Sequence, residues 1–363
     1  MEAVVTADFW RGRRVLITGH TGFKGAWLSF WLREQGAEVF GYSLDPPTEP
    51  SLFRVAGIGE LVARDIRADI RNSSALKQTL VEARPEVVFH LAAQSIVRLS
   101  YSIPLETFDV NILGTAHVLG AVLQTASVRA AVIVTSDKCY ENVGDARSYR
   151  ETDPMGGNDP YSASKGCAEL IVASFRASAA ALGPPASNIV IASVRSGNVV
   201  GGGDWSPDRL VPDCIRAFVS RSPVRLRNPG AVRPWLHVLE PLAGYIDVAE
   251  RLLGANSARY ATAFNFGPAA GNDANVLLVA QTVAGLWGEG ARVEVVGSAN
   301  LPEAATLRLD STKAMQMLGW KPRWNLTETL ERAVEWYKSW QQGRDLRQLM
   351  SRQLGDFAAK AAT

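Results

Sequence analysis

Cysteine is scarce in this sequence, and its few copies stand far apart. Only Cys139, Cys167 and Cys214 occur in 363 residues, and neither the odd number nor the spacing fits a disulfide framework or a redox motif. A small secreted domain held by disulfides is therefore excluded, and we expect a cytoplasmic protein. No grouping of His, Cys and Asp residues has the spacing of metal ligands, so we predict no metal.

Long apolar runs and an excess of one charge are also missing. No stretch reaches the roughly 18 uninterrupted apolar residues that span a bilayer, and residues 1–10 lack the basic and apolar regions of a signal peptide. The formal net charge is +2, which indicates neither nucleic acid nor a membrane surface as a partner. The balance of 47% hydrophobic and 20% charged residues is that of a soluble globular enzyme.

What the sequence does contain is a series of short apolar runs that alternate with segments of helical periodicity. Such alternation is typical of βαβ units, whose parallel strands are covered on both faces and read as nearly continuous apolar runs. The predicted strands are Arg14–Thr18, Glu38–Leu44, Glu86–His90, Ala131–Thr135 and Ile189–Val194, and the predicted helices are Phe23–Gln35, Ser73–Ala83, Phe108–Gln124 and Ser162–Ala179. The sequence thus predicts an α/β fold with a Rossmann-type, doubly wound parallel sheet.

A glycine-rich loop lies directly between the first predicted strand and the first predicted helix. Glycines at this place allow a tight turn and let backbone N–H groups approach a pyrophosphate at the helix N-terminus. The spacing is G-x-x-G-x-x-G rather than G-x-G-x-x-G, but the position between strand and helix favours a dinucleotide site over a plain turn. The predicted cofactor-binding residues of this loop are Gly19, Gly22, Phe23, Lys24 and Gly25.

The end of the second strand bears on which dinucleotide is bound. An acid commonly holds the adenosine ribose hydroxyls there, and in this sequence Ser43 occupies the place, with Asp45 two positions on. No arginine stands at Ser43 to receive a 2′-phosphate, which favours NAD, whereas Lys24 in the loop argues the other way. We predict NAD as the cofactor and Ser43 as one of its contacts, with NADP left open.

Two further strand ends are expected to meet the cofactor. Asp69 and Ile70 follow the third strand-like run and are placed to meet the adenine edge. The fourth strand ends in Leu91, Ala92 and Ala93, whose small side chains leave room for the cofactor backbone.

Tyr161 and Lys165 are the strongest local signal. They stand four residues apart in a predicted helix and share a face, and an ammonium beside a phenol lowers the pKa of the phenol from about 10 towards neutrality. Such a base can take a hydroxyl proton while hydride leaves the same carbon. A surface Tyr/Lys pair is the alternative, but Thr135–Lys138 ends an apolar strand, where open sheets place ligands. We expect Tyr161, Lys165 and Thr135 to contact the cofactor as well.

Together these motifs resemble those of the extended short-chain dehydrogenases/reductases, over a span from Arg14 to about Pro322. The glycine loop and the Tyr/Lys pair occur throughout that superfamily. Other motifs are more specific and resemble those of the nucleotide-sugar dehydratases within it: Gly41–Thr48, Thr135–Tyr140, Arg195–Trp205 and Leu318–Pro322.

The resemblance implies a hydro-lyase that works with NAD on CDP-glucose, in deoxysugar biosynthesis. Tyr161 would remove the O4 proton as hydride leaves C4, water would be eliminated across C5 and C6, and the hydride would return to C6 to give CDP-4-keto-6-deoxyglucose. Ser136 would hydrogen-bond O4, protonated Asp137 would expel the C6 hydroxyl, and Lys165 would orient the nicotinamide ribose.

Lys138 departs from the better-known dehydratase pattern, in which a glutamate at this place acts as the C5 base. A lysine is a base only when neutral, which requires burial or a nearby cation to lower its pKa from about 10.4. Lys138 is therefore expected either to be the C5 base or to stabilise the developing enolate as a cation.

The remaining predicted contacts lie along the path of the nucleotide sugar. Arg221–Arg233 is rich in arginine, whose guanidinium suits phosphate, although such stretches are more often solvated loops. Gln94 and Ser95 are expected to meet the hexose. By the resemblance, the sugar nucleotide is lined by Asn198, Arg209, Leu210 and Arg233.

The alternation of apolar runs and helical segments ends after about Gly201, where glycines and several prolines interrupt it. We predict an NAD-binding Rossmann domain at 1–200, a smaller C-terminal α/β lobe for the nucleotide sugar at 201–340, and a tail at 341–363 with a polar surface helix. Residues 235–270 are expected to return a helix and the strand Ala263–Pro268 to the main sheet.

The sequence also bears on the oligomeric state and on two alternative functions. Extended members of the superfamily generally pair through two long helices per subunit, so Pro104–Thr125 and Ser162–Ala179 indicate a homodimer, with a tetramer left open. The rivals are an epimerase or decarboxylase with the same Tyr/Lys core and a catalytically silent NAD-sensing protein. Asp137 argues against the first, because an epimerase expels no hydroxyl, and the presence of both Tyr161 and Lys165 argues against the second.

Overall fold

The predicted strands are all present, with shifts of one or two residues at their ends. The computed structural model describes residues 8–144, 147–269, 274–288, 290–297 and 306–360. The strands are β1 Arg14–Thr18, β2 Glu38–Ser43, β3 Arg64–Arg67, β4 Val87–His90, β5 Ala130–Val134, β6 Val190–Ser196, β7 Asn198–Val200, β8 Val224–Leu226, β9 Val232–Arg233, β10 Trp235–His237, β11 Ala263–Phe266, β12 Ala274–Asn275 and β13 Val293–Val295.

The helices include the predicted ones and several that the sequence pattern does not announce. They are α1 Phe23–Glu34, α2 Leu52–Val55, α3 Ser73–Ala83, α4 Val97–Ser102, α5 Pro104–Phe108, α6 Gly114–Leu123, α7 Pro160–Ala179, α8 Leu210–Val219, α9 Leu239–Leu253, α10 Val276–Trp287, α11 Thr312–Leu318, α12 Leu326–Gln341 and α13 Leu346–Ala359. The predicted helix Phe108–Gln124 begins as a π-helical turn, Asp109–Leu113, before α6.

Seven parallel strands form the central sheet in the order β11-β6-β5-β4-β1-β2-β3. The chain runs outward from β1 to β3, then returns to the other side of β1 and runs from β4 to β6. The order therefore reverses between β1 and β4, and open α/β sheets bind ligands beyond the carboxyl ends of strands at such a point. The predicted α/β class with a Rossmann-type parallel sheet is confirmed.

Burial on both faces explains why these strands are apolar throughout. Successive side chains of a strand point to opposite faces: Val15 and Ile17 in β1 pack into one hydrophobic cluster, and Leu16 packs into the other. α1 and α9 cover the first face, while α3, α6 and α7 cover the second. The sheet is thus rigid at the strand ends that carry the candidate site.

The part of the chain after β6 forms a smaller α/β region and also returns to the sheet. β11 pairs in parallel with β6, with Ala263 opposite Ser193, and α9 packs against β5 and β6. The short pairs β7–β10, β8–β13 and β9–β12 lie outside the main sheet. They are accompanied by α8 and α10, which pack against each other.

The C-terminal helix α13 has one buried face, so it is more than the polar surface helix that the composition predicts. Met350 and Phe357 are fully buried, and the ring of Phe357 meets Trp31 and Trp324 edge to face at 5.8 and 5.1 Å between centroids. In the described residues, no helix combines the length and the apolar character needed to cross a membrane.

Candidate active site

The glycine loop places backbone N–H groups and the N-terminus of α1 beyond the end of β1. Gly19 has a φ of +77°, and a Cβ added there would stand 2.6 Å from the backbone nitrogen of Ala92, so the loop touches the end of β4. α1 starts at Phe23 after the N-cap residue Gly22, and among the described residues it has no side-chain cap and no acid in its first turn. Uncapped N–H groups at a helix N-terminus bind an anion such as a pyrophosphate. The loop therefore fits a dinucleotide.

Ser43 at the end of β2 is tied to the glycine loop. Its hydroxyl lies 2.8 Å from the hydroxyl of Thr21, which also donates to the carbonyl of Leu44 at 3.0 Å. Ser43 is buried, and its place beside the loop suits a contact to ribose hydroxyls.

Asp69 and Ile70 lie beside this region, but the carboxylate of Asp69 already has partners. Arg71 binds it through its backbone N–H at 2.8 Å and its guanidinium at 2.6 Å. The hydrogen bonds of Arg71 hold the pKa of Asp69 below its ordinary value. Ile70 is buried against Gly114 of α6. Sequence reasoning missed Arg71, which limits Asp69 as a free acceptor at the adenine edge.

Tyr161 and Lys165 lie on the first turns of α7, which begins at Pro160 and is capped by Asp159 through the backbone N–H of Ser162 at 2.8 Å. Both functional side chains are buried, and the Lys165 ammonium stands 6.0 Å from the centroid of the Tyr161 ring. Burial lowers the pKa of Lys165 to about 8, against an opposing effect of Glu169.

The phenol of Tyr161 does not have the lowered pKa that the sequence predicts. Burial raises the pKa of Tyr161 to about 12, with the Ser136 hydroxyl acting in the opposite direction. The prediction of a pKa near neutrality is wrong for this arrangement, because loss of water around the phenol raises its pKa more than the Ser136 hydroxyl and the charge of Arg209 lower it.

Ser136 and Asp137 occupy the turn after β5, where Ser136 caps the 3₁₀ helix Asp137–Cys139. The Ser136 hydroxyl donates to Asp137 Oδ1 at 2.9 Å and accepts from the backbone N–H of Lys138 at 3.2 Å. Asp137 is 3% exposed, and its Oδ2 has no hydrogen-bond partner among the described residues. Burial raises the pKa of Asp137, although Lys138 opposes the shift. A protonated carboxyl at this place can act as a general acid.

Lys24 reaches from the glycine loop into the same site, which its sequence position alone does not reveal. Its ammonium donates to the Ser196 hydroxyl at the end of β6 at 2.9 Å, and that hydroxyl lies 2.9 Å from the hydroxyl of Tyr245. Burial and the positive charge of Arg209 lower the pKa of Lys24 to about 7. Lys138 is half-buried on the 3₁₀ helix. The structure thus joins the cofactor loop to the catalytic strand ends.

A buried ion pair between Glu169 and Arg195 joins the helix α7, which carries Tyr161 and Lys165, to the strand β6. Glu169 accepts from Arg195 at 2.8 Å on each of its two oxygens, from Ser193 at 2.7 Å, and from the hydroxyl of Thr135. Burial would raise the pKa of Glu169, but the Arg195 hydrogen bonds hold it below its ordinary value. The hydroxyl proton of Thr135 is therefore committed to Glu169 rather than offered to a ligand.

Several of the residues that are predicted to bind the substrate line one cleft. Asn198, Arg209 and Leu210 surround it together with Asp204 and Trp235. The guanidinium of Arg209 lies 3.8 Å from the Asp204 carboxylate and 3.5 Å from the carbonyl of Ser95. One wall therefore carries a positive charge and an amide, which suit the phosphates and hydroxyls of a sugar nucleotide.

The arginine-rich stretch divides into surface and buried members. Arg221, Arg225 and Arg227 are exposed, and the last two pair with Glu294 and Asp208. Arg233 is 5% exposed and close enough to Asp137 to act against the rise in its pKa. Of this stretch, only Arg233 belongs to the candidate site.

Gln94 and Ser95 follow β4 as predicted, but the amide of Gln94 is largely occupied. Its oxygen accepts from the backbone N–H of Ile96 at 2.6 Å, and its nitrogen donates to the hydroxyl of Thr107 at 3.0 Å. Gln94 therefore holds the loop in place, while Ser95 is exposed at its edge.

Comparisons with known proteins agree with this geometry. A family model described as GDP-mannose 4,6 dehydratase matches residues 16–333. The chain is 48% identical over 358 residues to the CDP-glucose 4,6-dehydratase of Salmonella typhimurium, covering 98% of both chains. It is 28% identical to a probable dTDP-glucose 4,6-dehydratase of Sinorhizobium fredii, covering 92% of this chain and 96% of the relative.

A solved structure shows the same fold. The dTDP-glucose 4,6-dehydratase of Bacillus anthracis, determined in complex with NAD, matches with a TM-score of 0.74 at 22% identity, over 93% of this chain and 100% of that one. The chain belongs to the GDP-mannose 4,6-dehydratase family and is a hydro-lyase of the extended short-chain dehydrogenase/reductase type.

Proposed function

We propose that this protein is an NAD-dependent CDP-glucose 4,6-dehydratase, which converts CDP-D-glucose into CDP-4-keto-6-deoxy-D-glucose and water. The observation that carries the proposal is Asp137, a buried carboxyl with a raised pKa and an unpartnered oxygen beside Tyr161. A dehydratase needs such an acid to expel a hydroxyl, whereas an epimerase does not. The substrate follows from the 48% identity to an enzyme named for CDP-glucose.

The cofactor would be held by the loop Gly19–Gly25 and by Ser43 and Lys165. The uncapped N-terminus of α1 suits its pyrophosphate, Ser43 suits a ribose hydroxyl, and the ammonium of Lys165 suits the nicotinamide ribose. When bound, NAD supplies a hydride acceptor for C4 of the glucosyl group and a hydride donor for C6. A relative in the same fold carries NAD, which supports NAD over NADP.

Tyr161 would take the O4 proton, and Ser136 would hold O4 by a hydrogen bond. Since burial favours the neutral phenol, proton removal depends on cations around the ring. Lys165 stands 6.0 Å from the ring centroid, and Arg209 also acts to lower the pKa of Tyr161. The charge of Lys165 therefore bears directly on the rate of the first step.

Asp137 would donate its proton to the C6 hydroxyl as the C6–O bond breaks. The ketone at C4 acidifies the C5 hydrogen, so loss of the C5 proton and departure of water leave a double bond between C5 and C6. A carboxyl whose pKa is raised by burial is suited to this step, because it must carry a proton when the substrate arrives.

Lys138 and Lys24 are the two candidates to act at C5. Lys138 would either take the C5 proton or stabilise the enolate. Burial and the charge of Arg209 lower the pKa of Lys24 to about 7, so Lys24 is partly neutral near pH 7. A Lys138→Ala variant that keeps full exchange of the C5 hydrogen with solvent would show that Lys138 is not the base. Loss of that exchange, with the C4 oxidation retained, would show that Lys138 acts at C5, as the base or as the cation that stabilises the enolate.

The nucleotide diphosphate would lie along Asn198, Arg209, Leu210 and Arg233. Arg209 supplies a guanidinium 3.8 Å from the Asp204 carboxylate, and Arg233 supplies one close enough to Asp137 to act on its pKa. Asn198 supplies an amide in the cleft. Arg233 is buried, so its charge is little screened by water.

The direct test is a substrate panel. Purified protein is incubated with NAD⁺ and CDP-glucose, dTDP-glucose, UDP-glucose or GDP-mannose, and the alkali-induced absorbance of a 4-keto-6-deoxy product is followed. We expect a signal with CDP-glucose alone. A signal with another sugar nucleotide would replace the substrate, and silence with all four in a chain that binds NAD would replace the reaction.

We also propose a homodimer formed through the helices that pack around α7. Large apolar side chains are exposed on these neighbouring elements: Leu105 of α5 is 81% exposed, Leu113 of the π-helical turn 52%, and Leu170 of α7 61%. A second copy of the chain would cover this apolar surface.

We propose that the enzyme acts in the cytoplasm. The three cysteines are free thiols, of which Cys139 and Cys214 are buried, and free cysteines are typical of a reducing compartment. Fractionation of cells that make the protein tests this assignment.

A further inference from the structure

An arginine that the sequence pattern does not reveal stands at the predicted ribose site. Arg67 ends β3, and its Cα is the register partner of Ser43 at the end of β2. Its guanidinium donates to the carbonyl of Leu44 at 3.1 Å, and the hydroxyl of Thr21 in the glycine loop donates to the same carbonyl at 3.0 Å. Arg67 therefore reaches the loop and the strand end where a dinucleotide places its adenosine ribose.

A cation at this position would ordinarily favour a 2′-phosphate, because an arginine near the second strand accommodates NADP. In this chain the closer carboxylate to Arg67 is that of Asp65, two residues earlier on the same strand, while the 83% exposed Asp45 lies 4.0 Å from Arg67 Nε. Arg67 Nη2 lies 2.7 Å from Asp65 Oδ2, and both side chains are about 30% exposed, at 31% and 28%. The guanidinium also packs over the ring of Phe53, 4.7 Å from its centroid, which fixes its direction.

Asp65 is itself held by the glycine loop. Nε2 of His20, a fully buried residue of the loop, lies 2.8 Å from Asp65 Oδ1. Since a carboxylate only accepts, the proton of this bond is on His20. The ring of His20 packs so closely against Gly41 that a Cβ there would stand 2.2 Å away. Loop, acid and arginine form one fixed chain of contacts.

We propose that Asp65 is the residue that selects NAD over NADP, by holding and neutralising the one arginine that reaches the ribose site from β3. This inference rests on the proposed NAD-dependent function and adds its specificity determinant. A 2′-phosphate would meet the carboxylate of Asp65 next to an arginine whose Nη1 and Nη2 already donate to Leu44 and Asp65. A 2′-hydroxyl carries no charge and meets no such repulsion.

The test measures dissociation constants of NAD⁺ and NADP⁺ by calorimetry on the full chain, stripped of nucleotide, in wild type and Asp65→Asn. The asparagine keeps the size of the side chain and an acceptor for His20 but removes the charge that holds Arg67. We expect NADP⁺ affinity to rise at least about tenfold, equal to about 1.4 kcal/mol, while NAD⁺ affinity changes by less than about twofold.

Two matched variants assign the effect to Arg67. Adding Arg67→Met to Asp65→Asn should abolish the gain in NADP⁺ affinity. Glu82→Gln removes the carboxylate that pairs with Arg64, the first residue of the same strand, at 2.8 Å, and should leave both affinities unchanged. Asp65→Ser, which also removes the carboxylate, repeats the measurement with a smaller side chain in case the asparagine variant is unstable.

The possible outcomes distinguish this inference from the proposed function on which it rests. Wild type that binds NAD⁺ well, with Asp65→Asn and Asp65→Ser no better at binding NADP⁺, would overturn the role of Asp65 alone. A gain in NADP⁺ affinity that persists when Arg67→Met is added would also overturn the role of Asp65. Wild type that prefers NADP⁺ would overturn the proposed cofactor together with this inference.

Discussion

At the scale of single residues, the chemistry depends on burial more than on direct pairing. Asp137 and Tyr161 both have raised pKa values because water is removed around them, and the pKa of Lys165 is lowered for the same reason. The residue types at these positions could be read from the sequence. The sign of the shift at Tyr161 could not, because it depends on the distance to Lys165 and on the packing of α7.

The role of Asp137 as an acid predicts a partial reaction when it is replaced. In Asp137→Asn, dehydration should fall by about 10²–10⁴-fold, the usual contribution of a general acid, since nothing protonates the leaving hydroxyl. Exchange of the C5 hydrogen with deuterated solvent should continue, because C4 oxidation and enolisation come earlier. Mass spectrometry of recovered substrate and product measures both. Equal loss of exchange and dehydration would contradict the assignment.

The lowered pKa of Lys165 predicts a pH limit for C4 oxidation. Its ammonium is present below pH 8 and is lost as pH rises through about 8, so the rate should fall on the alkaline side of that value. Lys165→Arg keeps its charge above this range and should be slower overall, yet its residual rate should not fall near pH 8. An unchanged alkaline limb in the variant would show that another group sets it.

At the scale of the elements, the sequence predicted the structures that a local residue pattern determines. It did not predict the features that depend on contacts between residues distant in the chain. β1, α1 and the loop between them are readable because a doubly buried strand, a glycine turn and a helix start each leave a local pattern. β3 carries two arginines and an aspartate at the sheet edge, so no apolar run marks it. The ion pair of Glu169 with Arg195 joins residues far apart in the chain, and only the pairing of β5 and β6 with α7 brings them together.

The glycine loop provides a test of an element that local chemistry determines. A Cβ at Gly25 would stand 2.1 Å from the carbonyl oxygen of Gly19, so Gly25→Ala must displace the turn. We expect NAD⁺ affinity to fall by about tenfold or more and stability to fall by about 1–3 kcal/mol, as overpacking does. Gly120→Ala is the control, because no described atom lies within 4 Å of a Cβ there. Calorimetry and thermal melting compare the two, and equal effects would contradict the argument.

At the scale of the whole molecule, the sheet order explains why one site gathers residues from so many elements. The reversal between β1 and β4 puts the glycine loop, the turn after β4 and the turn after β5 at one edge. Residues after β6 line the cleft that contains Asn198 and Arg209. The sequence predicted the class and the parallel sheet. The resemblance singled out Arg233 within the arginine-rich stretch, but the burial of Arg233 and the exposure of Arg225 are visible only in the structure.

The proposed dimer is tested by charge on its apolar surface. Leu105→Glu with Leu170→Glu should convert a species of twice the chain mass into one of the chain mass in light scattering, because two buried carboxylates per subunit would face each other. Val81→Glu is the control, since Val81 is also exposed, at 60%, but lies on α3. If the double variant keeps the mass of the wild-type dimer, the dimer interface lies elsewhere. If the wild type itself is monomeric, the proposed dimer is wrong.

The central claim is that one active site moves a hydride from C4 to C6 of the same sugar while expelling water. The most direct measurement follows the label from CDP-glucose deuterated at C4 through turnover with NAD⁺, reading the product by NMR. We predict one deuterium in the C6 methyl group of CDP-4-keto-6-deoxyglucose. A product with deuterium back at C4 and an intact C6 hydroxyl would make the protein an epimerase and contradict the account.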